Sequence, residues 1–486
     1  MSVKPRTIVT TDGEIDDFNS FIRLLLYTND IDLEGIILTS SKFHYRGTSN
    51  KPAHRWTGTR WIPELIDNYA KVYPNLIKHD ANYPSPEYLH SIYKIGNISD
   101  AGEMEIVTEG SEHIVQLLLD EDPRPILIQT WGGTNTTARA LKSIQERFEG
   151  TSEWNRIREK VETKVILYII LNQDETFDEY IFQNWKLRVI NDSSNFGYFA
   201  YVWKSLPKEI RTVLEPEWFL SNIKGKGALL DKYALIGDGH YLSGEEERFQ
   251  FGRQSYLDSH PDIRRYEFIS EGDSPSYFYL LSLGLRKIED PTSGGWGGRF
   301  IKSTDGIYEN ICADYNPLTQ QFEIEYGFTR WINDIQADFA ARAEWCVADD
   351  FKQATHYPKI HAEKTHLSVK PGQVITLTAP SCDPNGLELS YKWYCYFEAS
   401  SYWDFHKIDL QPVFSKLGDM EIQISKHSKK MSLPAELHIS GVTTDTVSMT
   451  IPSDAEVGDD FHIILEVQND AAKPLKSYQR YILKVE

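Results

Sequence analysis

The chain has 486 residues and a formal net charge of −20, a length that allows two or three domains. So acidic a chain is a poor partner for a nucleic acid, because affinity for a phosphate backbone comes mainly from clustered lysine and arginine. No apolar run approaches the about 20 residues of a membrane helix, and residues 1–17 contain no signal-peptide core. We therefore expect no nucleic-acid or membrane partner, and a cytoplasmic location as the sequence stands, or secretion if a leader has been trimmed.

Aromatic residues make up 13% of the chain, with 12 Trp and 27 Tyr. Surplus aromatic rings often stack on sugars, although packing in a core is their commoner use. The four cysteines show no Cys-x-x-Cys spacing, so they predict neither a zinc site nor a disulfide framework. Composition therefore leaves a carbohydrate ligand open.

The first third of the chain predicts repeated strand and helix units. RTIVTT precedes an acidic turn, a helix with apolar spacing, and the strand LEGIILTS. PILIQT is followed by a glycine-rich turn and another helix, and TKVILYIILNQD predicts a further strand. Because these strands end in Asp, Thr, Asn or Gln, they predict a mostly parallel α/β sheet that binds its ligand at the carboxyl ends of the strands.

Composition changes near residue 358. A helical stretch over 329–354 precedes this point, and apolar and polar residues alternate between PG, DPNG and VGDD turns after it. We predict an α/β domain over 1–358, with a helical extension from about 301, and an all-β immunoglobulin-like sandwich over 359–486. The aromatic stretch YKWYCYFEASSYWDF in the second domain either stacks on sugars or fills the sandwich core, and the core is favoured.

Carboxylates crowd the first strand-to-helix turn. Asp12 ends the strand, while Asp16 and Asp17 open the helix. Three carboxylates at one point cannot all stay ionised without a cation, and hard oxygen ligands on loops suit Ca²⁺ better than Mg²⁺. The competing interpretation is that Asp16 and Asp17 are first-turn acids at the positive end of a helix. Thr130 and Asp273, each at a comparable chain turn, are further candidate ligands, and Asp273 alone is also a good helix cap.

Two segments resemble nucleoside hydrolases: TTDGEIDD resembles their acidic fingerprint and TWGGTN their Thr-Gly-Gly-Leu-Thr-Asn segment. With RLLLYTNDIDLEG, SEGDSPSYFYL and GGWGGRF, nearly the whole chain resembles a bacterial and fungal family with a cellulose-binding, nucleoside-hydrolase-like domain and an immunoglobulin-like C-terminal domain. The resemblance implies that Asp12 is a calcium ligand and the base that activates metal-bound water. It also implies that Asp17, the Thr130 carbonyl and Asp273 bind calcium, and that Asp16 accepts sugar hydroxyls.

The sequence departs from the nucleoside hydrolase pattern on the side of the nucleobase. Thr10 stands where that family has a further Asp, Lys42 where it has a sugar-contacting Asn, and Gly272 where a His precedes the last calcium ligand. The family's third-strand Asn is loosely matched by the segment with Asn172 and Asp174, which we predict to bind substrate, a polar turn being the equal alternative. These departures put nucleosides in doubt.

Three more residues border the predicted site. Trp131 directly follows Thr130 and is predicted to line the substrate pocket. Glu14 is either a solvated loop acid or a proton donor, with the loop acid favoured, and His44 is either a pocket residue or a core residue.

Together these observations predict a calcium-dependent hydrolase of a glycosidic bond. The substrate is an N- or O-glycoside, with a pentofuranoside among the candidates, and Asp12 activates the attacking water. The alternative is a non-catalytic protein that binds a cellulose-like polysaccharide, and a weaker third interpretation is a true nucleosidase. The partner is then a small-molecule glycoside or a carbohydrate, and assembly as a homo-oligomer is left open.

Overall fold

The structure, a computed structural model, describes residues 3–303, 305–403, 414–417, 420–423, 433 and 437–486. The chain divides into two compact units. One comprises Met1–Tyr277, Ser303–Tyr308 and Trp345–Val347, and the other Phe278–Lys302, Glu309–Glu344 and Ala348–Glu486. Each unit contains segments from both sides of residue 300, so these units do not correspond to single stretches of chain, and the domain boundary at 358 remains a prediction.

The first unit is built from alternating strands and helices. In chain order they are β1 (Arg6–Thr11), α1 (Ile15–Leu25), β2 (Asp32–Leu38), α2 (Trp61–His79), α3 (Pro86–Ile92), β3 (Tyr93–Ile95), α4 (Glu109–Leu119), β4 (Ile126–Thr130), α5 (Asn135–Phe148), α6 (Trp154–Lys164), β5 (Val165–Ile170) and β6 (Arg188–Asp192). Shorter α-helices follow at Phe182–Asn184, Asn195–Tyr198, Lys208–Arg211, Pro216–Asn222, Gln254–Ser259 and Ser274–Phe278.

Six parallel strands form most of an eight-stranded sheet, in the order β3-β2-β1-β4-β5-β6. The residues of β1, β4 and β5 are all buried, and β5, with the sequence VILYII, is a continuous apolar run, as is typical of a strand covered on both faces. Helices α4, α5 and α6 contribute to the apolar core on this sheet. The predicted mostly parallel α/β sheet with flanking helices is confirmed.

The segment after residue 300 begins with short strands and not with a helix. The strands lie at Ile301–Lys302, Tyr308–Glu309, Asp314–Asn316 and Gln321–Glu323. The last two pair as an antiparallel hairpin. The α-helical part of the predicted extension starts at Tyr326, with helices Tyr326–Thr329 and Ile332–Trp345. In the described part of the chain, no helix is both long and apolar enough to cross a bilayer.

The C-terminal strands form mostly antiparallel sheets, as predicted. One four-stranded sheet contains, in spatial order, His366–Val369, Lys476–Val485, Asp460–Asn469 and Leu389–Cys395. A three-stranded sheet contains Val374–Thr378, Thr446–Thr450 and Ile439–Ser440, and strand pairs are formed by Lys359–Ile360 with Ser381–Cys382 and by Phe414–Leu417 with Met420–Gln423.

One apolar core joins residues of the four-stranded and three-stranded sheets, as in a β-sandwich. Trp393 is buried in this core, and its Nε1 donates a hydrogen bond to the carbonyl of Thr444 at 2.9 Å. The core interpretation of the aromatic stretch therefore holds for Trp393, while residues 404 and 405 at its end lie outside the described residues.

Candidate metal centre

Four aspartates meet at the carboxyl ends of the parallel strands. Asp12 directly follows β1, and Asp16 and Asp17 lie in the first turn of α1. Asp273 immediately precedes the helix Ser274–Phe278. Asp16, Asp17 and Asp273 each present a carboxylate oxygen within 4.8 Å of the others. Asp12 lies near enough to act electrostatically on all three.

Helix α1 holds Asp273 in place through two side chains. The Nδ2 of Asn19 donates to the carbonyls of Ala234 and Ser270, each at 3.1 Å. Arg23 forms a fully buried ion pair with Glu271, with 2.6 Å between Nε and a carboxylate oxygen. The helix that opens with Asp16 and Asp17 is therefore tied to the loop that carries Asp273.

The carboxylates are crowded and poorly solvated. Burial and the charges of Asp273, Asp12 and Asp16 raise the pKa of Asp17 well above its usual value. Burial likewise raises the pKa of Asp16, helped by the charges of Glu14 and Asp12. The same effect on the pKa of Asp273 comes from burial together with Asp16 and Asp12. Without a compensating positive charge, these groups cannot all ionise at neutral pH.

Several oxygens at this point have no partner among the described residues. They are both carboxylate oxygens of Asp12, one each of Asp16 and Asp273, and the hydroxyl of Thr130. Buried acceptors normally receive a hydrogen bond, and an orphaned carboxylate oxygen is costly unless it faces a cation. The all-oxygen donor set fits a hard divalent cation such as Ca²⁺ or Mg²⁺.

Two glycines leave room for the carboxylates. A Cβ at Gly132 would lie 2.8 Å from the Cβ of Asp12, and a Cβ at Gly272 would lie 3.0 Å from Oδ2 of Asp16. The glycine that replaces the expected histidine at 272 therefore sits directly against an acid of the cluster.

Thr130 and Trp131 lie at the carboxyl end of β4. Thr130 is the buried last residue of β4 and pairs in register with Thr10 of β1. Trp131 is also buried, and its Nε1 donates to the Oγ of Ser276 at 2.9 Å. The hydroxyl of Ser276 in turn donates to the carbonyl of Asp273 at 2.6 Å. Trp131 is thus linked to Asp273 through Ser276, and its predicted contact with substrate stays a prediction.

Asn172 and Asp174 follow the end of β5, but their side chains have other partners. Asp174 accepts hydrogen bonds from the Thr134 hydroxyl, the Asn135 amide and Thr176, and so caps the start of α5. The Nδ2 of Asn172 donates to Asp178 at 2.6 Å, while its Oδ1 is buried without a partner among the described residues. Asp174 therefore holds the turn, and a substrate role for either residue stays a prediction.

A second polar cluster borders Asp12. His44 is fully buried, with Nδ1 3.8 Å from Oδ2 of Asp12 and Nε2 2.8 Å from Oε1 of Glu245. Arg55 pairs with both Glu245 and Glu14, at 2.7 and 3.1 Å. Burial lowers the pKa of His44, but the hydrogen bond to Glu245 and the charges of Asp12 and Glu14 outweigh it and raise that pKa overall.

We call Glu14, His44, Arg55 and Glu245 the polar wall. Arg55 adopts a left-handed φ of +45°, which is uncommon outside glycine and is found where a structure holds a residue for function. The sequence favoured Glu14 as a solvated loop acid, which is wrong, because its side chain is 13% exposed and pairs with Arg55. The sequence left the role of His44 open and did not indicate Arg55 or Glu245. Glu245 lies 201 positions from His44 in the charged run GEEERF, which reads as solvated surface, so no sequence signal marked it.

An α/β sheet with a buried acid cluster at its strand ends defines the class as a nucleoside-hydrolase-like protein. Residues 6–300 match the family described as "Cellulose-binding Sde182, nucleoside hydrolase-like domain". Residues 374–485 match "Cellulose-binding protein Sde0182, C-terminal domain". Because the first match covers more than half of the 486 residues, the chain belongs to this Sde182 family, as its sequence segments predict.

Two solved structures show how far the similarity extends. A nucleoside hydrolase-related hypothetical protein from Saccharophagus degradans, associated with carbohydrate metabolism, is 24% identical, with 100% of both chains covered and a TM-score of 0.72. An inosine-guanosine nucleoside hydrolase is 12% identical over 58% of this chain and 80% of its own, with a TM-score of 0.28. The first similarity supports the fold, and the second is too weak to carry an argument. No curated protein matches the chain.

Proposed function

We propose that this protein hydrolyses a glycosidic bond at a Ca²⁺ site held by Asp12, Asp17, Asp273 and the carbonyl of Thr130. The observation that carries the proposal is the convergence of four aspartates, three of which, Asp12, Asp16 and Asp273, have buried oxygens without a hydrogen-bond partner among the described residues. The nucleoside hydrolase-like description of the family supports a hydrolase, and its cellulose-binding description supports a carbohydrate as the ligand.

Asp12 is the proposed general base. Both of its carboxylate oxygens are buried and free of hydrogen bonds from the described residues, so either can accept a proton from an attacking water. A bound divalent cation supplies Lewis-acid chemistry, which lowers the pKa of a coordinated water. The carboxylates around it also favour the positive charge that develops at the anomeric carbon.

Asp16 is the proposed acceptor for sugar hydroxyls. It is only partly buried, while one of its oxygens is enclosed and without a partner among the described residues. Asp17 is differently engaged, because its Oδ1 accepts hydrogen bonds from the Thr11 hydroxyl and the Asp12 amide. These bonds fix Asp17 as a rigid ligand and leave Asp16 to face the substrate.

The surroundings of the leaving group favour a glycoside over a nucleoside. At Gly272 no side chain can meet a nucleobase, and one added there would press on Oδ2 of Asp16. The polar wall instead places Glu14 and His44 beside Asp12. Carboxyl and imidazole groups suit a sugar or alkoxide leaving group, which takes up a proton at one oxygen.

A second candidate function is carbohydrate binding without turnover. The observation that favours it is the family's description as cellulose-binding. A protein of this kind would retain a carbohydrate and the cation site but release no product from any glycoside.

The test is a hydrolysis assay with 4-nitrophenyl glycosides of arabinofuranose, ribofuranose and glucopyranose, with cellohexaose, and with inosine and uridine. We expect calcium-dependent product release from at least one sugar substrate and none from the nucleosides. Asp12→Asn should lower kcat by at least about 100-fold, whereas Asp258→Asn, an exposed acid on the helix Gln254–Ser259, should leave kcat unchanged.

Circular dichroism checks that both variants fold. Retention of full activity in Asp12→Asn would refute the assigned base. Binding of cellohexaose without hydrolysis of any substrate would establish the second candidate instead.

A further inference from the structure

An open groove of about 980 Å³ lies in the first unit. Its lining includes Ile15 and Phe18 of α1, Trp61 at the start of α2, and Trp56 and Tyr241 on loops. Small-molecule sites typically occupy about 300–1,000 Å³, so this groove has room for a ligand larger than one sugar ring.

The groove adjoins the acidic turn. The Thr57 hydroxyl, on the groove, donates to the carbonyl of Gly13 at 3.0 Å. Gly13 has φ +85°, and a Cβ there would lie 2.9 Å from Nε1 of Trp61. Thr57 and Trp61 therefore pack directly on the residue that follows Asp12, and a glycine is required at that point.

Helix α1 serves both places at once. Asp16 and Asp17 belong to the acid cluster, whereas Ile15 and Phe18, three positions apart and hence on one helix face, line the groove. The ring of Phe18 packs on that of Trp61, with 6.1 Å between centroids. The two sites are thus opposite faces of the same first turn.

The chain segments that carry the polar wall also contribute residues to the groove. Each of the wall's four members lies within two residues of a groove residue: Glu14 beside Ile15, His44 near Arg46, Arg55 beside Trp56, and Glu245 near Ser243. A ligand in the groove therefore lies against the segments that carry the groups facing Asp12.

Two aromatic rings of the groove are accessible to a ligand. Trp61 is not one of them, because it is 6% exposed and its Nε1 lies against Gly13. Trp56 is partly exposed, and within the described part of the chain its ring contacts no other aromatic group. Tyr241 adds a ring that is 40% exposed.

Charges of both signs line the groove. The positive side chains are Arg46, Arg60, Lys71 and Lys232, and the negative ones are Glu64 and Asp67, with Arg60 paired with Glu64 at 3.4 Å. Because acids lie among the cations, the groove is not the surface of one positive sign that a polyanion needs. Flat aromatic faces among donors and acceptors of both signs instead match a chain of pyranose rings, which offers C–H faces and hydroxyl groups.

We propose that this groove binds a neutral glycan chain several sugar units long, on the face of α1 opposite the acid cluster. The choice of carbohydrate rests on the proposed function, and the groove makes that function specific to an oligosaccharide or polysaccharide rather than a monosaccharide glycoside.

The test is calorimetric titration of the full chain, in Ca²⁺, with cellohexaose, xylohexaose, mannohexaose and glucose. We expect at least one hexasaccharide to bind at least tenfold more tightly than glucose. Trp56→Ala and Tyr241→Ala should each weaken that binding by about five- to tenfold, as expected for loss of one stacked ring. Tyr88→Ala is the matched control, because Tyr88 is similarly exposed at 43% and lies outside the groove lining.

Failure of all three hexasaccharides to bind would overturn the proposal. The proposal would also be overturned if Trp56→Ala and Tyr241→Ala bound the hexasaccharide as tightly as the control Tyr88→Ala. Hydrolysis of a small aryl glycoside without hexasaccharide binding would refute the groove and leave the hydrolase intact. Groove binding without hydrolysis of any substrate would refute the hydrolase and support the groove.

Discussion

Replacing Asp273 with asparagine should make the cation-free protein more stable. The oxygens of Asp16, Asp17 and Asp273 lie within 4.8 Å of one another, and two unit charges at that distance repel by about 3.5 kcal/mol at an effective dielectric constant of about 20. Protonating one carboxyl would remove this repulsion, but protonation costs about 1.4 kcal/mol for each pH unit above the usual pKa of the carboxyl. We therefore expect Asp273→Asn to raise the free energy of unfolding by about 3 kcal/mol at pH 8 in a chelator.

Calcium should reduce this stability advantage of the variant. A cation that binds only the folded state stabilises the wild type by about 2.7 kcal/mol at 100 times its Kd, whereas Asp273→Asn lacks one proposed ligand and should gain less than half of that. Denaturant unfolding in EDTA and in CaCl₂ measures both effects, and Asp258→Asn should respond like the wild type. A variant that is less stable than the wild type in EDTA, or equally stabilised by calcium, would refute the idea of a repulsive cluster awaiting a cation.

Three further substitutions test the fold around the site and in the second unit. Gly133→Ala should destabilise by several kcal/mol on thermal unfolding, because its Cβ would lie 2.2 Å from Oδ2 of Asp174; a loss under 0.5 kcal/mol would contradict this. Arg23→Met should cost about 3–5 kcal/mol, since it leaves Glu271 buried without its ion pair, and urea unfolding that matches the wild type would contradict it. Burial raises the pKa of Glu325 to about 7, so the folded state holds its proton between pH 4.5 and 7 while the unfolded state releases it, and stability falls by about 3 kcal/mol over that window. Glu325→Gln should abolish this fall and be the more stable protein at pH 8, and a pH profile of unfolding unchanged by the substitution would refute it.

Much of the fold was predictable because its signals are local. Buried parallel strands such as VILYII show no alternation of apolar and polar residues, and the helix after Asp17 has an apolar stripe. Fewer than a dozen residues are therefore enough to predict either element. The start of the helical extension was placed too early, because strands of two or three residues such as Asp314–Asn316 depend on a partner rather than on their own pattern.

The acid cluster was predictable for a similar reason. Asp12, Asp16 and Asp17 lie within six positions of one another, and the expectation that parallel strands bind ligands at their carboxyl ends directed attention to Thr130 and Asp273. Asp174 shows the limit of that expectation, because this carboxylate at the same edge of the sheet caps the start of α5 and holds its own turn through Thr176.

The sequence by itself determined the sheet, the class of the C-terminal domain and the crowding of carboxylates after the first strand, since each is a property of neighbouring residues. Only the tertiary structure brought Glu245 and Arg55 to His44 beside Asp12, and only it opened the groove between Trp56 and Tyr241. Glu245 and Tyr241 lie about 185 or more positions from the residues of the first loops that they join. A local sequence pattern cannot indicate such a pairing, because it depends on how irregular loops fold in space. Three of the four clustered carboxylates thus come from the single segment IVTTDGEIDD, while the polar wall and the groove are formed by loops that are distant along the chain.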